Sequence, residues 1–292
     1  MAPAPAPSHP GRLVFLGTPD FAAVPLRALV EAGHDVALVV SQADKRRGRG
    51  GRLVASPVKQ AALDLGLPVT DRVDDVLADA VGADLGVVVA FGRLIKPHVL
   101  ERLPMANLHF SLLPRWRGAA PVERAILAGD ERTGVDLMVV EEGLDTGGVY
   151  DRAEAAIGPH ETADELRQRL ATLGTDLLLH NLARGLPEPR PQEGEATYAH
   201  KIGPSEHKID WTRPAIDVHR LVRIGGAWTT HGGERLKVWR TALTPGTRDD
   251  VEVHAGDGAV FVREVQPEGR RRMPARAWAN GARWRPGDRL GT

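Results

Sequence analysis

Continuous apolar runs that alternate with helix-periodic segments constrain this chain more than any other feature. Arg12–Leu16 is apolar, Gly17-Thr18-Pro19-Asp20 is a turn, and Phe21–Ala32 spaces its apolar residues as a helix does, with Pro25 early enough to be tolerated. Gly33-His34 then stops the helix, and Val36–Val40 is a β-branched run. Two strands joined by a helical crossover lie parallel. The pattern continues through helices at Pro57–Leu65 and Asp74–Val81, the run Leu85–Ala90, a crossover at Lys96–Leu103, and strands at Met105–His109 and Val135–Val140. Strands without polar alternation are buried on both faces, so the expectation is an α/β fold, a doubly wound and mostly parallel Rossmann-like sheet. Its ligand site belongs beyond the carboxyl ends of the strands.

The pattern changes after a long amphipathic helix at Ala163–Ala183. Gly185–Gly194 carries Pro187, Pro189 and Pro191 and reads as a stiff linker. After a helix near Ala215–Val222, short runs at Leu236–Trp239, Val251–His254 and Ala259–Val265, separated by Gly and Pro, suggest a small β-barrel or sandwich, with an OB-like barrel as the expectation. The expected division is a flexible extension at 1–10, a catalytic domain at 11–184, a linker at 185–206 and a C-terminal β domain at 207–292.

Charge separates the same two regions. Residues 207–292 hold 16 Lys and Arg against 10 Asp and Glu, a net of +6, which balances the −6 of residues 1–206. Such asymmetry fits a C-terminal surface that meets a polyanion, and it equally fits a solvated basic face. With no cysteine in 292 residues, disulfides, thiolate zinc sites and cysteine nucleophiles are excluded. The eleven histidines lack metal-ligand spacing, so no metal is expected. No apolar run approaches the ~20 residues of a membrane span, and the Ala-Pro start lacks a signal-peptide core.

Two familiar nucleotide motifs are missing. Gly17-Thr18-Pro19-Asp20-Phe21 is not G-x-G-x-x-G, and Pro19 removes a backbone donor; no Walker sequence exists either. Candidate chemistry gathers elsewhere. Asn107 and His109 stand two apart at the end of one strand, so both side chains leave the same face. Asp145 lies in the glycine-bracketed turn Gly143-Leu144-Asp145-Thr146-Gly147, after a strand able to lie beside the first. Read singly, a strand-end histidine, a turn-forming aspartate and a backbone-bonding asparagine are each also structural residues.

The segment Ser111-Leu112-Leu113-Pro114-Arg115-Trp116-Arg117-Gly118-Ala119-Ala120-Pro121 closely resembles the folate-dependent formyltransferases, in particular those acting on methionyl-tRNA. Gly17–Ala22, Gly48-Arg49-Gly50, Ser56–Lys59, Gly143–Gly147, Thr197–Ile202, Ile209–Trp211, Val265–Gly269 and Pro286–Leu290 extend the resemblance over nearly the whole chain from Arg12. The resemblance implies 10-formyltetrahydrofolate as donor and the amino group of methionine on initiator tRNA as acceptor, in translation initiation in the cytoplasm, by a monomer. It implies Asn107, His109 and Asp145 as the catalytic trio, and folate contacts at Phe91, Gly92, Leu94, Ile95, Ser111, Leu112, Leu113 and Pro114. The loop Asp44–Arg52, with Lys45, Arg46, Arg47, Arg49 and Arg52 among three glycines, is by resemblance the one that enters the tRNA acceptor end.

Three features depart from the family pattern: Phe110 between the histidine and serine, Glu123 in place of glutamine, and a short Arg223–Trp228 connection. The alternatives are a formyltransferase acting on a sugar-nucleotide amine and a non-catalytic tRNA-binding relative. The five C-terminal tryptophans, Trp211, Trp228, Trp239, Trp278 and Trp284, are expected mostly as core fillers.

Overall fold

A computed structural model describes residues 3–47, 51–285 and 287–291 as two compact units. The first comprises residues up to Pro121, Arg132–Ala156 and Arg167–Ala199. The second comprises Val122–Glu131, Ile157–Leu166 and the chain from His200 onward. This division departs from the expected one at 184, because two stretches of the first half group with the C-terminal region.

In the first unit the chain runs β1 (Arg12–Gly17), α1 (Ala23–Glu31), β2 (Asp35–Val40), β3 (Lys45–Arg47), β4 (Arg52–Val54), α2 (Pro57–Asp64), β5 (Val69–Thr70), β6 (Leu85–Val89), α3 (Pro97–Leu100), β7 (Met105–His109) and β8 (Arg117–Gly118). After α4 (Pro121–Ala128), which from Val122 belongs to the second unit, come β9 (Arg132–Val139), β10 (Val149–Ala156), α5 (Ala163–Arg184), whose first residues through Leu166 also belong to the second unit, and β11 (Tyr198–Ala199). The main sheet has the order β10-β9-β7-β6-β1-β2-β5. From β5 to β7 all pairings are parallel, and β9 and β10 continue the sheet antiparallel. Leu13 to Leu16 on β1 and all five residues of β6 are buried on both faces, as their unbroken apolar runs require. The expected helix at Asp74–Val81 is instead a short 3₁₀ turn at Val73–Leu77, and the crossover at Lys96–Leu103 contains the short helix α3.

Local signals explain the boundaries. The Ser56 hydroxyl accepts the Lys59 amide, and Pro57 opens α2. One sheet edge is the two-residue β5; at the other, β10 exchanges backbone hydrogen bonds between Val149 and Arg190 at 2.8 Å in both directions.

The N-terminal stretch, expected to be flexible, and the stretch expected as a stiff linker both bond within the first unit. Ala4 donates its amide to Leu100 O, and Leu186 donates to Ser8 O. The 185–199 stretch bridges at Arg190 and pairs β11 in parallel with β8. Its prolines supply stiffness while the intervening amides and carbonyls bond to unit 1.

The second unit contains α6 (Ala215–Arg223) and the antiparallel strands β12 (Trp228–His231), β13 (Glu234–Ala242), β14 (Val251–Ala255), β15 (Gly258–Pro267) and β16 (Met273–Pro274), followed by α7 (Ala275–Gly281). Their order is β12-β13-β15-β14, with β16 against β15, giving a curled half-barrel. Its core includes Ile209, Val218, Val222, Leu236, Val238, Val253, Val260 and Val262. His219 on α6 is buried, with Nδ1 2.8 Å from the Thr241 hydroxyl and Nε2 3.1 Å from Pro159 O. A carbonyl only accepts, so Nε2 carries the proton and Nδ1 accepts from Thr241. Burial pushes the His219 pKa down to about 4.

Candidate active site

The end of β7 brings the first two candidates together, since Asn107 and His109 occupy alternate positions on one strand. Antiparallel pairing with β9 sets Met138 opposite Asn107 and Asp136 opposite His109. His109 is buried and Asn107 half-buried; among the described residues the Asn107 amide group makes no side-chain hydrogen bond.

Asp145 arrives from the loop after β9. Its Oδ2 lies 3.7 Å from His109 Nδ1 and accepts the Gly118 amide at 2.7 Å. The first distance exceeds a hydrogen bond, so the contact is electrostatic. On the opposite side of the ring, His109 Nε2 stands 3.0 Å from Trp116 O. That carbonyl fixes the proton on Nε2 of the neutral ring and leaves the Nδ1 lone pair beside the carboxylate.

Both partners of His109 adopt unusual backbone conformations, with φ of 51° at Asp145 and 64° at Trp116. Left-handed backbone at non-glycine residues costs about 1 kcal/mol or more and persists only where neighbours enforce it. Gly118, at φ 128°, approaches β11 so closely that a Cβ would meet Ala199 O at 2.8 Å.

An ion pair between a buried carboxylate and an exposed guanidinium supports the adjacent loop. Asp136 is fully buried; its Oδ2 accepts the Leu113 amide at 2.9 Å and pairs with Arg152 Nη2 at 2.8 Å, and the same Nη2 also donates to Leu113 O at 3.0 Å. Loss of hydration pushes the Asp136 pKa up to about 6 against the pull of Arg152, and its Oδ1 has no hydrogen-bond partner. Sequence reading missed this pair, since a single Asp inside an apolar strand run was the only signal.

The expected folate-contact residues divide by exposure. Phe91 and Ile95 belong to the core, Leu113 and Pro114 are buried, and the Ser111 hydroxyl is already donated to Arg115 O at 2.6 Å. Leu94, 79% exposed, and the half-buried Leu112 present side chains at the surface, while Gly92 offers backbone in a left-handed turn. Thr18 Oγ1 and Gln42 Nε2, absent from the expected set, fix the carbonyl of Phe91. Phe110 is buried with its ring centroid 5.5 Å from that of Phe21.

The basic loop is a hairpin of β3 and β4, in which Lys45, Arg46 and Arg52 are exposed beside Leu53 and Val54. Lys45 bonds Gln42 and Arg46 bonds Gly51 O. Arg47 lies on β3, and Arg49 is outside the described residues.

Three of the five tryptophans, Trp211, Trp278 and Trp284, pack against the core of the second unit, as expected of fillers, and are partly buried. Arg235 and Lys208 lie over the Trp228 ring at 4.2 Å and 5.7 Å from its centroid, and Arg272 and Lys237 over the Trp239 ring at 3.3 Å and 5.8 Å. Strand alternation explains it: Leu236 and Val238 point inward, so Arg235, Lys237 and Trp239 point outward.

Comparison with known proteins bears on both units. Residues 11–182 match the family described as formyl transferase, and 201–283 match the formyl transferase C-terminal domain. A methionyl-tRNA formyltransferase of Symbiobacterium thermophilum is 46% identical, with 96% of this chain and 95% of that protein covered. The structure resembles HypX from Aquifex aeolicus in complex with tetrahydrofolic acid, at a TM-score of 0.67 and 18% identity. The match covers 94% of this chain, which spans about half the length of HypX, 48%. It also resembles an N-formyltransferase from Helicobacter canadensis in complex with folinic acid and dTDP-3-aminofucose, at a TM-score of 0.66 and 18% identity over 88% of this chain and 99% of that one.

Proposed function

The chain belongs to the formyl transferase family, and from that premise we propose that it moves the formyl group of 10-formyltetrahydrofolate to the amino group of methionine on initiator tRNA. The acceptor assignment draws support from the 46% identical relative, matched almost end to end. The folate assignment draws support from the bound ligands named for two proteins of the same fold. The chemistry rests on one observation, the His109 ring held between Trp116 O and the Asp145 carboxylate beside Asn107.

An aminoacyl amine with a pKa near ~8 is partly neutral at pH 7 and attacks the formyl carbon directly. The C–N bond forms, the carbonyl π pair moves to oxygen, and the Asn107 amide donates to that oxyanion, a contact worth about 3 kcal/mol. His109 Nδ1 takes the proton released by the attacking nitrogen and returns it to the departing folate nitrogen as the second C–N bond breaks. The adjacent carboxylate of Asp145 stabilises the imidazolium that exists between those transfers. Gly92, Leu94 and Leu112, with the backbone around Phe91, Ile95 and Ser111–Pro114, form the folate-contacting surface.

Lys45, Arg46, Arg47 and Arg52 on the hairpin, together with Arg49, serve the tRNA acceptor end. The cation-flanked Trp228 and Trp239 make the C-terminal domain the second phosphate-binding surface. The enzyme acts as a monomer in the cytoplasm; among the described residues no helix is long and apolar enough to cross a membrane. The test is formyl transfer from 10-formyltetrahydrofolate to initiator Met-tRNA against a sugar-nucleotide amine. Transfer to Met-tRNA is expected, and transfer to the sugar amine alone overturns the acceptor assignment.

A further inference from the structure

The Asp145 loop is held from outside itself. Gln192, in the proline-rich stretch after α5, donates Nε2 to Asp145 O and to Gly147 O, each at 2.8 Å. Its own Oε1 accepts Arg117 Nε at 3.0 Å and Nη2 at 2.6 Å. Every polar site that orients this side chain is therefore used, and the amide cannot flip without placing oxygen against two carbonyls. Arg117 immediately precedes Gly118, whose amide binds the Asp145 carboxylate.

The same stretch reaches the other partner of His109. Thr197 Oγ1 accepts the Trp116 amide at 2.9 Å, Thr197 O accepts Arg117 N at 2.8 Å, and Thr197 N donates to Pro114 O at 3.2 Å. One strap, residues 192–197, thus bonds to both left-handed residues that flank the imidazole. Left-handed backbone at Asp145 and Trp116 needs such external restraint, because neither residue is a glycine.

We propose that Gln192 is a positioning residue for formyl transfer, holding the Asp145 loop through its two carbonyls so that the carboxylate faces His109 Nδ1. The inference rests on the trio assigned above and adds a residue that touches neither His109 nor the Asp145 carboxylate. Gln192→Ala removes both bonds to the Asp145 loop together with the two from Arg117, and is predicted to lower kcat about tenfold. KM for 10-formyltetrahydrofolate and for Met-tRNA should stay within about twofold, because no binding group is removed.

A double-mutant cycle with Asp145→Ala tests it on the full-length enzyme by kcat and KM. If Gln192 acts through Asp145, its tenfold effect shrinks to less than about twofold when Asp145 is already alanine. An equal factor in both backgrounds overturns the inference. Gln192→Glu conserves size and the bond to Arg117 while turning both donors into an acceptor, so it should lose turnover as alanine does; wild-type turnover in that variant overturns the donor role. Asp145→Ala alone reads the underlying trio: unchanged turnover removes the trio and this inference with it. A large loss there with full turnover in Gln192→Ala removes the inference alone.

Discussion

The surroundings of His109 and the outward face of the C-terminal sheet use polar residues in opposite ways. Around His109 polar contacts are spent on position: Trp116, Gly118, Gln192 and Thr197 each make a specific bond that fixes a partner of the ring. On the face carrying Trp228 and Trp239, Arg235, Lys237 and Arg272 sit over aromatic rings. Proton transfer requires a geometry held within fractions of an ångström, whereas phosphate attraction requires only that charge be present and accessible. Substitutions in the first region should therefore change kcat, and those in the second should change KM and its salt dependence.

The largest break in that comparison is His109→Ala, expected to lower kcat by roughly 10²–10⁴-fold with KM for Met-tRNA little changed. Steady-state kinetics with varied tRNA decides it, and a change confined to KM would move His109 into the binding surface. Next in size is Asn107→Ala, expected to lower kcat by about 10²-fold through loss of the oxyanion donor; single-turnover rates at saturating substrates read that step directly.

His219 sharpens the comparison from the side of stability. Its folded pKa of about 4 lies below the ordinary ~6.5, so the folded protein binds fewer protons than the unfolded chain between those values. The stabilisation is fully present above about pH 6.5 and is lost as pH falls toward 4, on the order of 3 kcal/mol in all. His219→Gln should flatten the acid side of the Tm–pH profile measured between pH 4.5 and 7.5. An unchanged slope would assign acid sensitivity to other groups.

The smallest effect is expected from Arg235→Ala with Lys237→Ala, about a three- to tenfold rise in KM for Met-tRNA at unchanged kcat. The slope of log KM against log salt should become shallower by roughly one unit for each phosphate left without its cation. A fall in kcat instead would dissolve the distinction between the two regions.

Much of this molecule was legible where residues act through local period. Unbroken apolar runs identified β1, β2 and β6, and two-residue spacing on β7 put Asn107 and His109 on one face. The glycine-bracketed turn marked Asp145 as a separate arrival, which the structure brings to 3.7 Å from the ring. Gln192 and Thr197 stayed hidden because their partners lie 47 and 81 residues away and their stretch has no period, only prolines. The Asp136–Arg152 pair was hidden for a related reason, since burial of a lone carboxylate in a strand depends on a guanidinium from the next strand. Trp239 stands apart from the core-packed tryptophans, and the signal was available: counting alternate residues from Leu236 puts it outside with Lys237.

Arg190 has one more consequence. A mixed sheet ends in unpaired amides and carbonyls that invite another chain to dock as an added strand. Here one margin is cut to the two residues of β5, and the other is capped where Val149 and Arg190 pair, followed by the charged Asp151, Arg152 and Glu154 of β10. The segment that bonds to both partners of the His109 ring thereby also caps the sheet against edge-to-edge pairing.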